Sequence, residues 1–362
     1  MDLGIIGLEQ SGKTALFGAV TRGHASAASH GALEPNLGVV KIPDERLDRL
    51  SELIRSRKVT HAEARFLDFP GAFAARGEGP ASSLLASLAL CDALVHVVRT
   101  FHDESVPSAA GSVDADRDIA NVNLELAFAD AALLQRRLEK LDIQVRSARA
   151  GEREAGEREM ALIGRLIAAL EREEPLRSQE LSLDERRLLS GYQLLTSKPL
   201  LIVVNIDESK AARAGEIEAE FASRWQGPGV DVLALCAKLE RELAELPGDE
   251  AAEFRREMGA ERDGVADLLQ RSQRVLGLIS FFTVGEQEGR AWALAAESPA
   301  LAAAGKVHSD IARGFIRAEV IGWQELLDSG SYAEARRRGL LRTEGKQYLV
   351  QDGDVLHILF NV

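Results

Sequence analysis

Short, nearly unbroken apolar runs alternate with longer amphipathic stretches over most of this chain, and that alternation predicts strands separated by helices. Leu3 to Ile6, Asp92 to Val98, Leu200 to Val204 and Val232 to Leu235 read as buried strands, and Arg65 to Leu67 as another that ends in an acidic turn. Strands this apolar on both faces imply a parallel sheet covered by helices on either side. The predicted class is therefore α/β, with a doubly wound sheet. Ala15 to Val20 continues as the first helix, and Gly23 is available to end it.

Between the Val98 and Leu200 strands the pattern becomes long, charged and helical. Leu134, Leu138, Leu141 and Val145 recur at helical spacing, as do Ile163, Leu166, Ile167 and Leu170 after a break expected at Gly151 and Gly156. Two antiparallel helices with one apolar seam follow. Ser182 and Glu185, ahead of Leu188 and Leu189, predict a capping box for a further helix that returns the chain to the sheet. The charged faces of this arm read as solvated surface, with a partner surface as the sharper alternative.

From about Leu278 the elements shorten again. Ile279 to Val284 and Arg290 to Leu294 are expected to pair across Gly285, and Tyr348 to Val350 with Val355 to Phe360 to form a hairpin around Asp352-Gly353. The expected domains are residues 1–118 with 199–277 as a nucleotide-binding domain, 119–198 as a helical coiled-coil insertion, and 278–362 as a small α+β module.

Composition narrows the function classes. The chain has 362 residues, 46% of them hydrophobic and 28% charged, which is ordinary for a globular protein with a real core. Its net charge of −13 argues against broad adhesion to nucleic acid or anionic membrane. Neither DNA nor a membrane is an expected partner, and any RNA contact must be local. Cys91 and Cys236 show no metal or redox spacing, and no leader or membrane-spanning stretch is evident. A reduced, cytoplasmic protein is the expectation.

The strongest chemical signal is Gly7-Leu8-Glu9-Gln10-Ser11-Gly12-Lys13-Thr14, which fits the Walker A pattern G-x-x-x-x-G-K-S/T between a strand and a helix. Glycines let the backbone curl with its amides inward, Lys13 reaches the β and γ phosphates, and the Thr14 hydroxyl ligates Mg2+. Gln10, Ser11, Gly12, Lys13, Thr14 and Ala15 are thus candidate nucleotide-binding residues. Asp68-Phe69-Pro70-Gly71 fits D-x-x-G: Asp68 is placed to hold Mg2+ through water, and the Gly71 amide to meet the γ phosphate. Lys13, Thr14, Asp68 and Gly71 form the catalytic set.

Asn205-Ile206-Asp207-Glu208 occupies the place where GTPases carry N-K-x-D, with Glu208 at the base-reading position and Ile206 at the lysine position. Aspartate there accepts hydrogen bonds from guanine, and a site built for a feature the ligand lacks rejects that ligand. Glu208 changes this geometry, so adenine becomes the expected base. Cys236-Ala237-Lys238 matches the S-A-K loop that closes over the base.

With these motifs the chain resembles the YchF or Obg-like ATPase family essentially end to end. The resemblance is carried by residues 34–40 (Glu-Pro-Asn-Leu-Gly-Val-Val), His96-Val97-Val98-Arg99, Asn205-Ile206-Asp207-Glu208, Phe281-Phe282-Thr283, Arg290-Ala291-Trp292, residues 305–310 and 313–318, and Gln351-Asp352-Gly353-Asp354-Val355. It implies a GTPase-like P-loop fold that prefers ATP, with GTP as the alternative, an inserted helical arm and a C-terminal β-grasp module of the TGS type. It also implies association with the ribosome or its RNA and slow switching between nucleotide states.

Departures from the family bear on turnover. Its first loop usually reads G-L-P-N-V-G-K-S, so Glu9, Gln10 and Ser11 replace Pro-Asn-Val, and Gln10 stands where the family has the asparagine linked to potassium-assisted hydrolysis. Ala32 lacks the switch hydroxyl that completes magnesium coordination, and Ser108 stands where some members have histidine. Ala72 stands where Ras-like enzymes carry a glutamine, a place where family members also have an apolar residue. No catalytic base is identified: His30 and His102 read as surface histidines and His96 as core. Arg313, Arg317 and Arg336 to Arg338 are candidate phosphate contacts amid many acids. Three readings follow: a slow ATPase switch, a hydrolysis-impaired module that responds to nucleotide occupancy and binds the ribosome or RNA, and a GTPase.

Overall fold

The computed structural model describes residues 1–22, 35–69, 73, 82–103, 106, 111–260 and 262–361. Its strands are β1 (Asp2–Ile6), β2 (Asn36–Ile42), β3 (Val59–Thr60), β4 (Ala62–Asp68), β5 (Ala93–Arg99), β6 (Leu200–Asn205), β7 (Val230–Leu235), β8 (Leu278–Val284), β9 (Gly289–Ala295), β10 (Phe315–Gly322), β11 (Arg342–Glu344) and β12 (Asp354–Phe360). The chain divides into two compact units, Met1–Val40 with Arg65–Leu268, and Lys41–Ala64 with Leu269–Val362. Residues 41–64 were expected in the first domain. They cluster instead with the C-terminal segment, because β3 pairs in parallel with β9 and helix Glu45–Ile54 packs on the second sheet.

In the first unit the sheet order is β2-β4-β1-β5-β6-β7. β1 lies between β4 and β5 and runs parallel to both, and β6 and β7 extend the parallel set. Every residue of β5 and β6 is buried, which is why their sequences are apolar without alternation. Each predicted strand of this sheet is present, and β2 joins them at the edge. Parallel strands leave all their C-terminal ends on one side, where α/β folds bind ligands.

The arm consists of helices Ala115–Ser147 and Ala150–Glu171, packed along Leu134, Leu141, Leu162, Ile163, Leu166 and Leu170. The break falls at Ala148 and Arg149, not at the glycines expected to cause it. Gly151 and Gly156 lie inside the second helix. A Cβ on Gly156 would sit 2.5 Å from Val145 Cγ2, so this glycine serves close helix approach. The predicted capping box is formed: Ser182 Oγ accepts from Glu185 N, and Glu185 Oε2 accepts from Ser182 N at 2.8 Å. Asp130 ties the arm to the chain entering β6, its buried carboxylate accepting from Leu195 N, Thr196 N and Thr196 Oγ1 at 2.6 to 2.9 Å. Burial raises its pKa, opposed by those hydrogen bonds and by Arg177.

The second unit is a β-grasp arrangement with sheet order β11-β10-β12-β8-β9-β3. Helix Ala300–Val307 covers one face over Phe281, Ala318, Val320 and Leu356. The other face, with Phe282, Ile321 and Val355, carries Leu47, Leu50, Leu326 and Ala335 from the remaining helices. β8 and β9 pair antiparallel as expected. The hairpin around Asp352-Gly353 does not form, because β12 is taken up by β10 on one side and β8 on the other. Residues 348–350 bond instead to 298–300, through Ala300 N to Tyr348 O and Val350 N to Ser298 O. Asp352 and Gly353 make a turn all the same: Gly353 has φ of 87°, its N–H donates to Ser280 O, and Asp352 Oδ1 accepts from Ser280 N. Among the described residues no helix is long and apolar enough to cross a membrane.

Candidate nucleotide site

β1 delivers the first loop to the middle of the first unit's sheet, anchored by Leu3, Ile5 and Ile6, all fully buried. Two glycines are required for the loop to close. Gly7 has φ of 142°, and a Cβ there would lie 2.3 Å from Val97 O; Gly12 has φ of 98°, and its Cβ would meet Asn205 Nδ2 at 2.1 Å. Gln10 adopts a positive φ of 63° without being glycine. The helix Lys13–Thr21 starts directly behind, with Leu16 N donating to Gly12 O, so its N-terminal amides point into the loop. Arg22, in the left-handed region, ends this helix; Gly23 lies outside the described residues.

Lys13 is buried, and its Nζ donates to Gly7 O at 2.8 Å and Leu8 O at 2.7 Å. Burial lowers its pKa to about 8, with Asp68 and Glu9 pulling it back up. The ammonium is thus held by loop carbonyls and two nearby acids in a poorly solvated spot. Thr14 is exposed in the first helical turn, Ala15 is half-buried beside it, and Ser11 is buried with no hydrogen-bond partner for its Oγ.

Asp68 ends β4 opposite Ile5 of β1 and is fully buried. Its Oδ2 accepts from Asn36 Nδ2 at 3.4 Å, whereas Oδ1 has no hydrogen-bond partner. Burial raises its pKa, opposed by Asn36 and Lys13. An orphaned carboxylate oxygen next to an ammonium and a helix N-terminus is an atom that a cation or its water would satisfy. Gly71, Ala72, Ala32, Ser108 and His30 lie outside the described residues.

Asn205 joins three segments. Its Nδ2 donates to Ser11 O at 2.9 Å, its Oδ1 accepts from Ala237 N at 3.0 Å, and its carbonyl accepts from Thr100 N and Oγ1. The asparagine therefore holds the first loop against the start of helix Ala237–Ala244. Cys236 caps that helix, its Sγ accepting from Leu239 N, and burial raises its thiol pKa. Glu208 and Lys238 stand at the surface and pair with each other, Nζ to Oε1, at 3.1 Å. Ile206, expected to line the site, is 1% exposed and packs in the core, with its N–H donating to Leu235 O.

Sequence reasoning missed Asn36 as the partner of Asp68 and the Glu208–Lys238 pair. Asn36 belonged to a recognised segment, but nothing in its spacing pointed to Asp68. His96 is core as expected, fully buried with a pKa lowered by burial to about 3. His102 is exposed. In the second unit four of the five candidate phosphate-binding arginines are engaged by acids, Arg313 with Asp310, Arg336 with Glu319, and Arg337 and Arg338 with Glu334, and Arg317 is exposed.

Comparison with known proteins places this geometry in a family. Residues 278–361 match the family model for the C-terminal domain of YchF GTPases, described as a protein of unknown function (DUF933). The chain is 39% identical over its full length to the ribosome-binding ATPase YchF of Bacillus subtilis, covering all of that protein as well. It is 36% identical to the ribosome-binding ATPase YchF of Haemophilus ducreyi, over 99% of each chain. The solved structure of the Schizosaccharomyces pombe YchF GTPase superimposes with a TM-score of 0.85 at 27% identity, covering 99% of this chain and 97% of that one. A GTP-binding protein from Pyrococcus horikoshii shares the fold, with a TM-score of 0.61 at 18% identity over the whole of both chains.

Proposed function

Because the chain belongs to the YchF family of P-loop proteins, we propose that it is a switch that binds ATP in preference to GTP with Mg2+, hydrolyses it slowly and acts at the ribosome. The observation that carries this reading is the Asn205 bridge, which holds the phosphate loop and the base loop as one frame. On this reading the loop amides and the helix N-terminus receive the phosphates, and Lys13 exchanges the carbonyls of Gly7 and Leu8 for phosphate oxygens. A desolvated ammonium gains from that exchange.

Thr14 and Asp68 would hold Mg2+, which fits the orphaned Oδ1 of Asp68; once bound, the ion neutralises charge on the phosphates. The Gly71 amide would meet the γ phosphate. Glu208, Ala237 and Lys238 would face the base, whereas the burial of Ile206 leaves it a structural part in the frame. The ribosome as partner is supported by the names of the relatives. The paired state of Arg313, Arg336, Arg337 and Arg338 does not add to it. The same reading makes this a cytoplasmic protein.

A second reading, regulation by occupancy without efficient hydrolysis, is favoured by Gln10, which stands at positive φ in the loop where the family carries asparagine. Calorimetric titration with ATP and GTP, followed by phosphate release with and without ribosomes, separates the readings. Tighter ATP binding with release above that of Lys13→Ala supports the switch. ATP binding with no such release supports occupancy alone, and a guanine preference would overturn the adenine assignment.

A further inference from the structure

We infer that the Lys238–Glu208 ion pair sets base preference, with Lys238 acting as a specificity-determining residue by occupying one of the two carboxylate oxygens of Glu208. This rests on the reading that Glu208 faces the base, and extends it. Guanine presents a ring N–H and an amino group side by side, which a carboxylate reads with one oxygen each, and an ammonium already seated on one oxygen weakens and turns that two-point pairing. Adenine has neither donor at those two positions; its one amino group stands where guanine carries its carbonyl oxygen, so it loses less when the two-point pairing is weakened.

In this protein Lys238 Nζ lies 3.1 Å from Glu208 Oε1 and 4.0 Å from Glu242 Oε1, so the ammonium is committed first to Glu208. The closest approach of the ammonium is thus to Oε1. The backbones of both partners are fixed from outside the pair. Lys238 follows Ala237, whose N–H is held by Asn205, and Glu208 opens a turn capped by Asp207, whose Oδ1 accepts from Ser209 N at 3.0 Å. The pair raises the pKa of Lys238, so the lysine is charged at neutral pH. Both side chains are accessible, at 62% and 32%, so a bound base can reach the carboxylate and added salt can loosen the pair.

The test is calorimetric titration of the full chain and three variants with ATP and GTP. Lys238→Met keeps the aliphatic stem and deletes the charge; it should lower the ATP to GTP affinity ratio by about fivefold, the share of roughly one hydrogen bond, mainly through tighter GTP binding. Lys238→Arg, which restores a donor to Oε1, should return the ratio toward that of the unaltered protein. Raising salt should lower the ratio in the unaltered protein and leave it flat in Lys238→Met, since nonspecific phosphate screening cancels between the two nucleotides. An unchanged ratio in Lys238→Met, or equal weakening of both nucleotides, would overturn the inference. Glu208→Gln isolates the underlying reading: if it leaves the ratio of an ATP-binding protein unaltered, Glu208 does not read the base, whatever Lys238 does.

Discussion

Asn205 reaches back across 194 positions of sequence to Ser11, donating from Nδ2 to its carbonyl at 2.9 Å while its Oδ1 holds the amide of Ala237. A residue at the end of β6 is thereby a structural part of the first loop. Asn205→Ala would leave a buried carbonyl and a buried amide without partners. Each orphaned group costs about 1–3 kcal/mol, and ATP affinity should fall by about ten- to a hundredfold. Titration calorimetry reads this directly, and an affinity within twofold of the unaltered protein would show that the bridge is dispensable.

Gly12 is the same contact seen from the loop. Its φ of 98° disfavours any side chain, and a Cβ would sit 2.1 Å from Asn205 Nδ2. Gly12→Ala should displace Asn205 and abolish measurable nucleotide binding, with a stability loss of about 1–3 kcal/mol. Urea unfolding and ATP titration of the same preparation check both effects.

Lys13 should make both stability and binding depend on alkaline pH. Its folded pKa is lowered to about 8 from 10.5, so between those values the unfolded chain binds more protons than the folded one. Its burial penalty is therefore present below pH 8 and relieved as pH rises toward 10.5, and this rise in stability should vanish in Lys13→Met. Triphosphate affinity should move the other way, falling as pH passes about 8 and the free protein's lysine loses its proton. Calorimetry near pH 8 should detect proton uptake on binding, seen as a heat that changes with the buffer's ionisation enthalpy.

His96 should act with the same sign on the acid side. Burial lowers its pKa to about 3 from 6.5, so on acidification the unfolded state takes up the proton first. Stability is lost progressively as pH falls from 6.5 toward 3. Guanidinium unfolding at pH 7, 6 and 5 should show a steeper decline for the unaltered protein than for His96→Leu; equal slopes would assign the acid sensitivity elsewhere.

Asp130 anchors the arm by accepting three hydrogen bonds in a buried spot. Asp130→Ala would strand the amides of Leu195 and Thr196, at a cost of about 2–4 kcal/mol. Asp130→Asn, which keeps one acceptor oxygen, should lose less. Chemical denaturation of the two variants gives the ordering, and the reverse order would remove the anchoring role.

The first unit's strands were legible because a strand buried on both faces must be apolar throughout, and β5 and β6 are written that way. The first loop was legible because its conformation, with φ of 142° at Gly7 and 98° at Gly12, leaves few residue choices, and Lys13 and Thr14 complete a pattern fixed by spacing. The Ser182–Glu185 capping box was legible because it is closed within four residues. Of the two glycines misread as a helix break, Gly156 faces Val145 of the neighbouring helix, where close packing overrode the local signal, whereas a Cβ on Gly151 would meet open space and packing does not explain it.

By itself, then, the sequence determined what depends on local chemistry: the apolar strands, the phosphate loop, the helical arm and the order of the nucleotide motifs. Only the tertiary structure decided which distant groups meet. It took residues 41–64 into the second sheet, gave β12 to β10 and β8 in place of a hairpin, buried Ile206, and paired Glu208 with Lys238. Hydrogen-bond partners and buried neighbours are chosen by whichever edges and charges the packed chain brings within about 3 Å, and sequence spacing does not encode that choice.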